Sequence, residues 1–218
     1  MIPLYDENPR RRIPIVTYLI IAVNVIVFIW ELTVGIDYAA LKYGFIPAEF
    51  TANYIEVDKI FTCMFLHGGF LHLIGNMVFL FVFGDNIEEA FGRLGFFVFY
   101  FACGVAATTA YFALNTSSNI PVIGASGAIS GVLGAYMVLF PRVRVYTLIV
   151  FFRWVTIRRI SAGYLLAYWF IIQVISMFLG EQSGIAYSAH VGGFLAGVLL
   201  AIAKRAIMRS TKNIYMYA

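Results

Sequence analysis

The chain has 218 residues, of which 62% are hydrophobic and 12% are charged, and its formal net charge is +4. A soluble domain carries about 25% charged residues, so this sequence has roughly half of the charge that a water-exposed surface needs. The composition therefore excludes a soluble globular protein and predicts a polytopic protein of the lipid bilayer. The cationic residues form no basic stripe interleaved with aromatic residues, so no nucleic-acid partner is expected.

Six apolar stretches are long enough, or nearly so, to cross about 30 Å of hydrocarbon at about 1.5 Å per residue. They predict transmembrane helices at 15–34, 70–84, 94–114, 122–140, 161–179 and 185–203. The second stretch is short, and we expect its helix to extend into Asp85–Glu89. The predicted fold is all-α, a transmembrane bundle of six spans in a single domain, 1–218, with a short N-terminal segment, 1–14, and a basic C-terminal tail at about 204–218.

A seventh apolar stretch, 145–152, is flanked by Arg144 and Arg153. It is too short to cross the bilayer as a helix. We interpret the segment 143–160 as a connector that lies at the membrane interface, with Trp154 and the arginines as its anchors.

The distribution of Lys and Arg predicts the orientation of the bundle. If the N-terminus is cytoplasmic, every one of the 15 Lys and Arg residues lies in an inner segment except Lys42 and Lys59. Because positively charged residues concentrate on the cytoplasmic side, both termini are predicted to be cytoplasmic. The outer loops are then 35–69, 115–121 and 180–184, and the expected location is the plasma membrane.

Four polar side chains from three different spans fall in one layer beneath the predicted outer face. Counted from the outer ends of their spans, Ser126 and His190 lie at depths of about 6 and 8 Å. His72 and Asn76 lie at depths of about 3 and 9 Å on the second span. Singly, Ser126 is explained by the packing of small residues between helices, and Asn76 by an interhelical hydrogen bond.

Together these residues form a set that can perform acyl transfer. A serine hydroxyl is a poor nucleophile until a base takes its proton, and a histidine with a pKa of about 6.5 can do so at neutral pH. His72 and Asn76 are four residues apart, so they share a helix face and can both donate to an oxyanion. We therefore predict a dyad of Ser126 and His190, in preference to a triad completed by Glu181, in a cavity that opens to the outer face and admits water.

Three motifs fall on the second, fourth and sixth predicted spans. They are HGGFLHLIGN (67–76), GASG (124–127) and AHVGGFLAG (189–197). The first resembles the H-x4-H-x3-N element of the rhomboid intramembrane serine proteases, the second their G-x-S-G nucleophile motif and the third their A-H-x-x-G-x-x-x-G motif. The resemblance covers nearly the whole chain.

The resemblance implies a serine endopeptidase that cleaves transmembrane segments of other membrane proteins, with no cofactor and no metal. By matched position, Ser126 would be the nucleophile and His190 the general base. His72, Asn76 and the backbone N–H of Ser126 would form the oxyanion hole. The fifth span is a candidate lateral gate because it carries bulky aromatic residues: Tyr164, Tyr168, Trp169 and Phe170.

Six further residues are expected to support the site: Gly124, Gly127, Gly193, Gly197, Ser130 and His67. The glycines would let the sixth helix pack closely against the fourth. Ser130 stands where many members of the family carry a tyrosine that packs on the catalytic histidine. It could hydrogen-bond to His190 or to a water, but it cannot stack. His67, at the edge of the loop, is expected to hold the outer loop in place.

Three other functions remain open at this point. A small-solute channel or transporter could line its pore with the glycine-rich helices. A metal site could use His67, His72 and His190, although no Glu adjoins them as it does in an H-E-x-x-H helix. A catalytically inactive pseudoprotease could bind transmembrane helices, although the chain keeps both Ser126 and His190.

Overall fold

The computed structural model describes residues 1–52, 57–151, 153–180 and 184–216. Its helices in chain order are α1 (Ile15–Val34), α2 (Ile36–Tyr43), α3 (Pro47–Ala52), α4 (Lys59–Thr62), α5 (Phe70–Phe91), α6 (Arg93–Leu114), α7 (Ser126–Leu139), α8 (Ala162–Leu179) and α9 (Tyr187–Met216). Its strands are β1 (Ile2–Asp6), β2 (Arg144–Phe151) and β3 (Trp154–Ser161). In the described part of the chain, five helices are long and apolar enough to cross a membrane, and α7 is a shorter apolar helix.

The predicted polytopic helical bundle is confirmed, and most of its boundaries agree with the apolar stretches. Helix α5 extends to Phe91, so it includes Asp85–Glu89 as expected. The fourth span is shorter than predicted, because α7 begins at Ser126 rather than near Val122. Gly124 has a φ of +122°, which is not helical, so the helix begins only after it. At about 1.5 Å per residue, α7 is only about 21 Å long.

Helix α7 lies at the centre of the bundle. Every residue from Gly127 to Tyr136 is buried. A helix that is enclosed by protein on all sides has no lipid contact, so its length need not match the thickness of the hydrocarbon. Its first residue can therefore lie below the membrane surface while the longer surrounding helices complete the crossing.

Helices α7 and α9 touch through their backbones. A Cβ added at Gly193 would overlap the carbonyl oxygen of Gly127, and one added at Gly197 would overlap that of Gly131. On the α7 side, a Cβ at Gly134 would overlap the carbonyl oxygen of Phe194. Small residues at such a seam allow the close approach that holds membrane helices together in the absence of a hydrophobic driving force.

The segment 143–160, which was interpreted as an interfacial connector, forms a β-hairpin that was not predicted from the sequence. Strands β2 and β3 pair in antiparallel register from Arg144 opposite Ser161 to Phe151 opposite Trp154. The N-terminal segment adds β1 to the free edge of β2, which gives a three-stranded sheet of order β1-β2-β3. The β-branched and aromatic residues of both hairpin strands explain the preference for strands. The fold is thus mainly helical rather than purely all-α.

The N-terminal strand is fastened to the helices by Asp6. Its carboxylate accepts hydrogen bonds from the Tyr136 hydroxyl and, at 3.2 Å, from Asn86 Nδ2. Burial raises the pKa of Asp6 to about 6, and the nearby Asp85 adds to the increase, against the opposing effect of the Tyr136 hydrogen bond. This contact lies at the end of the bundle remote from Ser126, the end that the Lys and Arg distribution predicts to be cytoplasmic.

Replacing Gly197 by alanine is expected to separate α7 from α9. The added methyl group meets a backbone carbonyl that no side-chain rotation can move, so we expect a loss of about 3 kcal/mol of stability. The midpoint of thermal unfolding in detergent measures this loss. Gly95→Ala in α6 is the matched control, because its Cβ would make only an ordinary contact of 3.5 Å with Phe91. Equal midpoints for the two variants would contradict the backbone seam.

Docking of β1 is expected to weaken as the pH rises. Because the folded-state pKa of Asp6 is raised to about 6, docking is strongest below the ordinary carboxyl pKa of about 4 and is lost as the pH passes through the higher value. Amide hydrogen exchange in residues 2–6, corrected for intrinsic rates, should therefore be faster at pH 8 than at pH 5. Asp6→Asn should abolish this dependence, and Asp37→Asn, at an exposed position of α2, should keep it.

Candidate active site

Ser126 is positioned by hydrogen bonds to the segment that precedes it. Phe45 and Val122 exchange backbone hydrogen bonds of 3.1 and 2.8 Å, and the N–H of Gly124 donates to the carbonyl of Cys63 at 2.8 Å. The positive φ of Gly124 then turns the chain into α7. Ser126 is consequently the first residue of a helix, where backbone N–H groups have no partner inside the helix and attract negative charge.

His190 lies between Ser126 and Gln173. Its Nε2 is 2.8 Å from Ser126 Oγ, and its Nδ1 is 2.8 Å from Gln173 Oε1. The amide oxygen can only accept, so Nδ1 carries the proton and Nε2 is left to accept from the serine hydroxyl. The structure thus brings together the two residues that the sequence predicted as nucleophile and base, and it adds a third group.

The contacts of Gln173 and Trp169 with His190 were not predicted from the sequence, which considered Trp169 only as part of a lateral gate. Both lie on α8, four residues apart, and therefore on one helix face. The indole ring of Trp169 lies 5.9 Å from the imidazole of His190 at a tilt of 35°. A buried amide in an otherwise apolar span was the available signal for Gln173. Glu181, the carboxylate considered as a third member, lies outside the described residues.

Ser130 does not bond to His190. Its hydroxyl donates at 2.6 Å to the backbone carbonyl of Ser126, one turn earlier on α7. A serine inside a helix commonly satisfies its hydroxyl in this way when no better acceptor faces it. The hydroxyl of Ser130 is therefore engaged within its own helix, and the rings beside His190 are Trp169 of α8 and Tyr187 of α9.

His72 and Asn76 face the turn before Ser126. A Cβ at Gly124 would lie 2.7 Å from His72 Nε2 and 3.7 Å from Asn76 Nδ2. The N–H of Gly68 donates to His72 Nδ1 at 3.3 Å, which leaves Nε2 as the protonated nitrogen. Asn76 Nδ2 is buried and finds no acceptor among the residues that the structure describes. Two side-chain donors thus point to one place beside Ser126.

His67 lies beside His72 and away from the Ser126 hydroxyl. Its backbone N–H donates to both carboxylate oxygens of Glu31 at 3.1 Å, and its Nδ1 lies 3.2 Å from the carbonyl of Phe65. Burial, and next the neighbouring His72, lower the pKa of His67 to about 4. These contacts tie the start of α5 to α1, and a structural role for His67 stays the prediction.

The polar groups border a cavity of about 890 Å³. Its walls come from α5, α6, α7, α8 and α9 and include Phe79, Tyr111 and Trp169, and Ile120 and Gly184 line it from the loops near the start of α7 and α9. Apolar walls with a few convergent polar groups are typical of a substrate site. No group of three or more His, Cys, Asp or Glu residues in the described ranges is arranged to hold a metal ion.

Comparison with known proteins identifies the family. A family model of the rhomboid domain matches residues 54–206. The chain belongs to the rhomboid family. The rhomboid protease GluP of Bacillus subtilis is 30% identical over 198 residues, which cover 87% of this chain and 35% of that protein. Rhomboid protein 1, mitochondrial, of Saccharomyces cerevisiae is 29% identical over 203 residues, which cover 89% of this chain and 54% of that protein.

A third relative, RHOMBOID-like protein 5 of Arabidopsis thaliana, is 33% identical over 142 residues, which cover 65% of this chain and 42% of that protein. The chain thus spans between about a third and about half of the length of these relatives. Together with its apolar helices, the family membership makes this rhomboid a multi-pass membrane protein.

Replacing Gly124 by alanine is expected to slow any cleavage that depends on Ser126 at least about 100-fold, because the new Cβ would displace His72 from its place beside Ser126 and a displacement of about 1 Å can lower a rate by that much. Cleavage of a single-span reporter in detergent measures the effect. Gly35→Ala is the matched control, since its φ of +99° carries the same strain but its nearest contact is 3.9 Å away. Similar rates for both variants would show that the place of His72 beside Ser126 does not matter.

Proposed function

We propose that this rhomboid is an intramembrane serine endopeptidase of the plasma membrane, with Ser126 as nucleophile and His190 as general base. The observation that carries the proposal is the distance of 2.8 Å between Ser126 Oγ and His190 Nε2, inside a cavity large enough for a peptide segment. A hydroxyl and an imidazole at this distance, with the imidazole held from its other side, have the geometry of an activated nucleophile.

The reaction follows from these positions. As Ser126 Oγ attacks the carbonyl carbon of the substrate peptide bond, its proton passes to His190 Nε2. The negative charge that develops on the substrate oxygen is stabilised by the N–H of Ser126, His72 Nε2–H and Asn76 Nδ2. His190 then gives the proton to the leaving amine, and an acyl-enzyme remains on Ser126. A water deprotonated by the same imidazole hydrolyses that ester and restores the serine.

Among the residues that the structure describes, Asn76 Nδ2 has no acceptor, and this supports its assignment to the oxyanion hole. Leaving a buried amide donor without an acceptor costs free energy, so such groups are rare in folded proteins. A substrate oxyanion beside Ser126 would supply the missing acceptor, and it would do so only as negative charge forms. A donor preorganised in this way stabilises the transition state more than the ground state.

The substrate class is supported by the location of the cavity among helices that are long and apolar enough to cross a membrane. We propose a transmembrane helix of another membrane protein, which enters the cavity laterally past Phe79 of α5 and Trp169 of α8. Its carbonyls are engaged in bonds to N–H groups four residues on, so it must unwind before attack. Among the aromatic residues considered for a gate, Trp169 lines the cavity, whereas Phe170 stacks on Phe194 at 4.3 Å and packs inward.

Covalent labelling tests the proposal. A fluorophosphonate should label the purified rhomboid at Ser126, as mapped by mass spectrometry, and labelling should fall by at least about 1000-fold in both Ser126→Ala and His190→Ala. The matched control is Ser130→Ala, which removes a neighbouring hydroxyl from the same helix and should keep the label.

Two outcomes would contradict the proposed function. Unlabelled wild-type protein that still binds transmembrane helices would indicate an inactive pseudoprotease. Labelling that persists in Ser126→Ala would place the nucleophile elsewhere. Cleavage of a reporter with one transmembrane helix, tested in parallel, then establishes whether the labelled serine acts on the proposed class of substrate.

A further inference from the structure

A histidine that acts as a base needs a fixed tautomer and a fixed ring orientation. In serine proteases with a triad, a carboxylate that accepts a hydrogen bond from the second ring nitrogen provides both. In the described part of this chain, the only acceptor within hydrogen-bond distance of His190 Nδ1 is the side-chain oxygen of Gln173, at 2.8 Å.

We propose that Gln173 is a positioning residue of the active site, whose side-chain carbonyl holds the protonated Nδ1 of His190 and so keeps Nε2 directed at Ser126. The inference rests on the proposed function, since it concerns the base of that reaction. Gln173 reaches no reacting atom, because the imidazole lies between it and the serine.

The orientation of the Gln173 amide follows from its second contact. Its Nε2 lies 3.5 Å from the backbone carbonyl of Trp169, which can only accept. The amide nitrogen therefore faces Trp169, and the oxygen faces His190. The same turn of α8 places the Trp169 ring beside the imidazole, so one helix face holds the base by a hydrogen bond and by a ring contact.

A neutral amide suits this position better than a carboxylate. Gln173 is buried, with 7% of its surface exposed, and an ionised group there would carry a large desolvation cost. A carboxylate beside the imidazole would also favour the imidazolium form, which cannot accept the serine proton. The amide orients the ring by its dipole and leaves the imidazole neutral and able to act as a base.

Two substitutions distinguish a role of Gln173 in orienting His190 from a role in packing alone. Gln173→Met keeps the length of the side chain and removes the acceptor, and it should lower kcat about 100-fold with little change in KM. Gln173→Glu keeps a side-chain carbonyl that can accept from Nδ1 whether its carboxyl is neutral or ionised. It should therefore restore most of the activity that Gln173→Met loses. Ile171→Met, on the exposed side of α8, is the control and should behave as wild type.

The experiment measures the rate of Ser126 phosphonylation and of peptide cleavage between pH 5 and 9, with the midpoint of thermal unfolding for each variant. The inference would be overturned if the Gln173→Met variant reacted at the wild-type rate and with the wild-type pH profile. If Gln173→Met fails to fold, the 15N chemical shifts of His190 in the wild-type protein decide, and a resting imidazole that is protonated at Nε2 rather than at Nδ1 would overturn the inference. Wild-type protein that is not labelled would instead refute the proposed function, so the two failures are distinguishable.

Discussion

The direct backbone contact between α7 and α9 is the constraint on which the site depends. Gly193 and Gly197 lie against the carbonyls of Gly127 and Gly131, so the two helices approach more closely than any side chain would allow. The serine begins one of these helices and the histidine lies on the other, and their 2.8 Å separation follows from that seam. Any side chain at the seam would move the imidazole of His190 away from the hydroxyl of Ser126.

Because α7 is buried within the bundle, the polar groups at its first turn lie away from the lipid. A helix enclosed by its neighbours need not span the bilayer, so it can begin at Ser126 and present unpaired N–H groups to a cavity rather than to hydrocarbon. The surrounding helices complete the crossing, and α5 and α8 border the cavity. Helix α8 borders the cavity through Trp169 and contacts the imidazole of His190 through Gln173, so one helix contributes both to the cavity wall and to the surroundings of the imidazole.

Much of this arrangement could be predicted from the residues alone. The apolar stretches predicted the long helices, because a bilayer imposes a minimum length on any span. The fixed spacing of Ser126, His190, His72 and Asn76 from the span ends put them in one layer. The β-hairpin at 143–160 was missed, since a short apolar run of β-branched residues has no periodicity that separates a strand from an interfacial segment. The hydrogen bond from Ser130 to the carbonyl of Ser126 was not predicted, because no sequence pattern indicates whether a serine hydroxyl bonds to its own helix or to a neighbouring one.

The sequence by itself determined the membrane solvent, the number and order of the apolar helices and the identity of the groups able to perform acyl transfer, because hydrophobic length and side-chain chemistry are properties of the chain. Only the tertiary structure decided which atoms meet. The distance between two helices depends on the residues at their contact, and the nitrogen of an imidazole that is free to accept depends on what the other nitrogen binds. The contact that an amide such as Gln173 makes depends on which residue of the neighbouring helix lies opposite it.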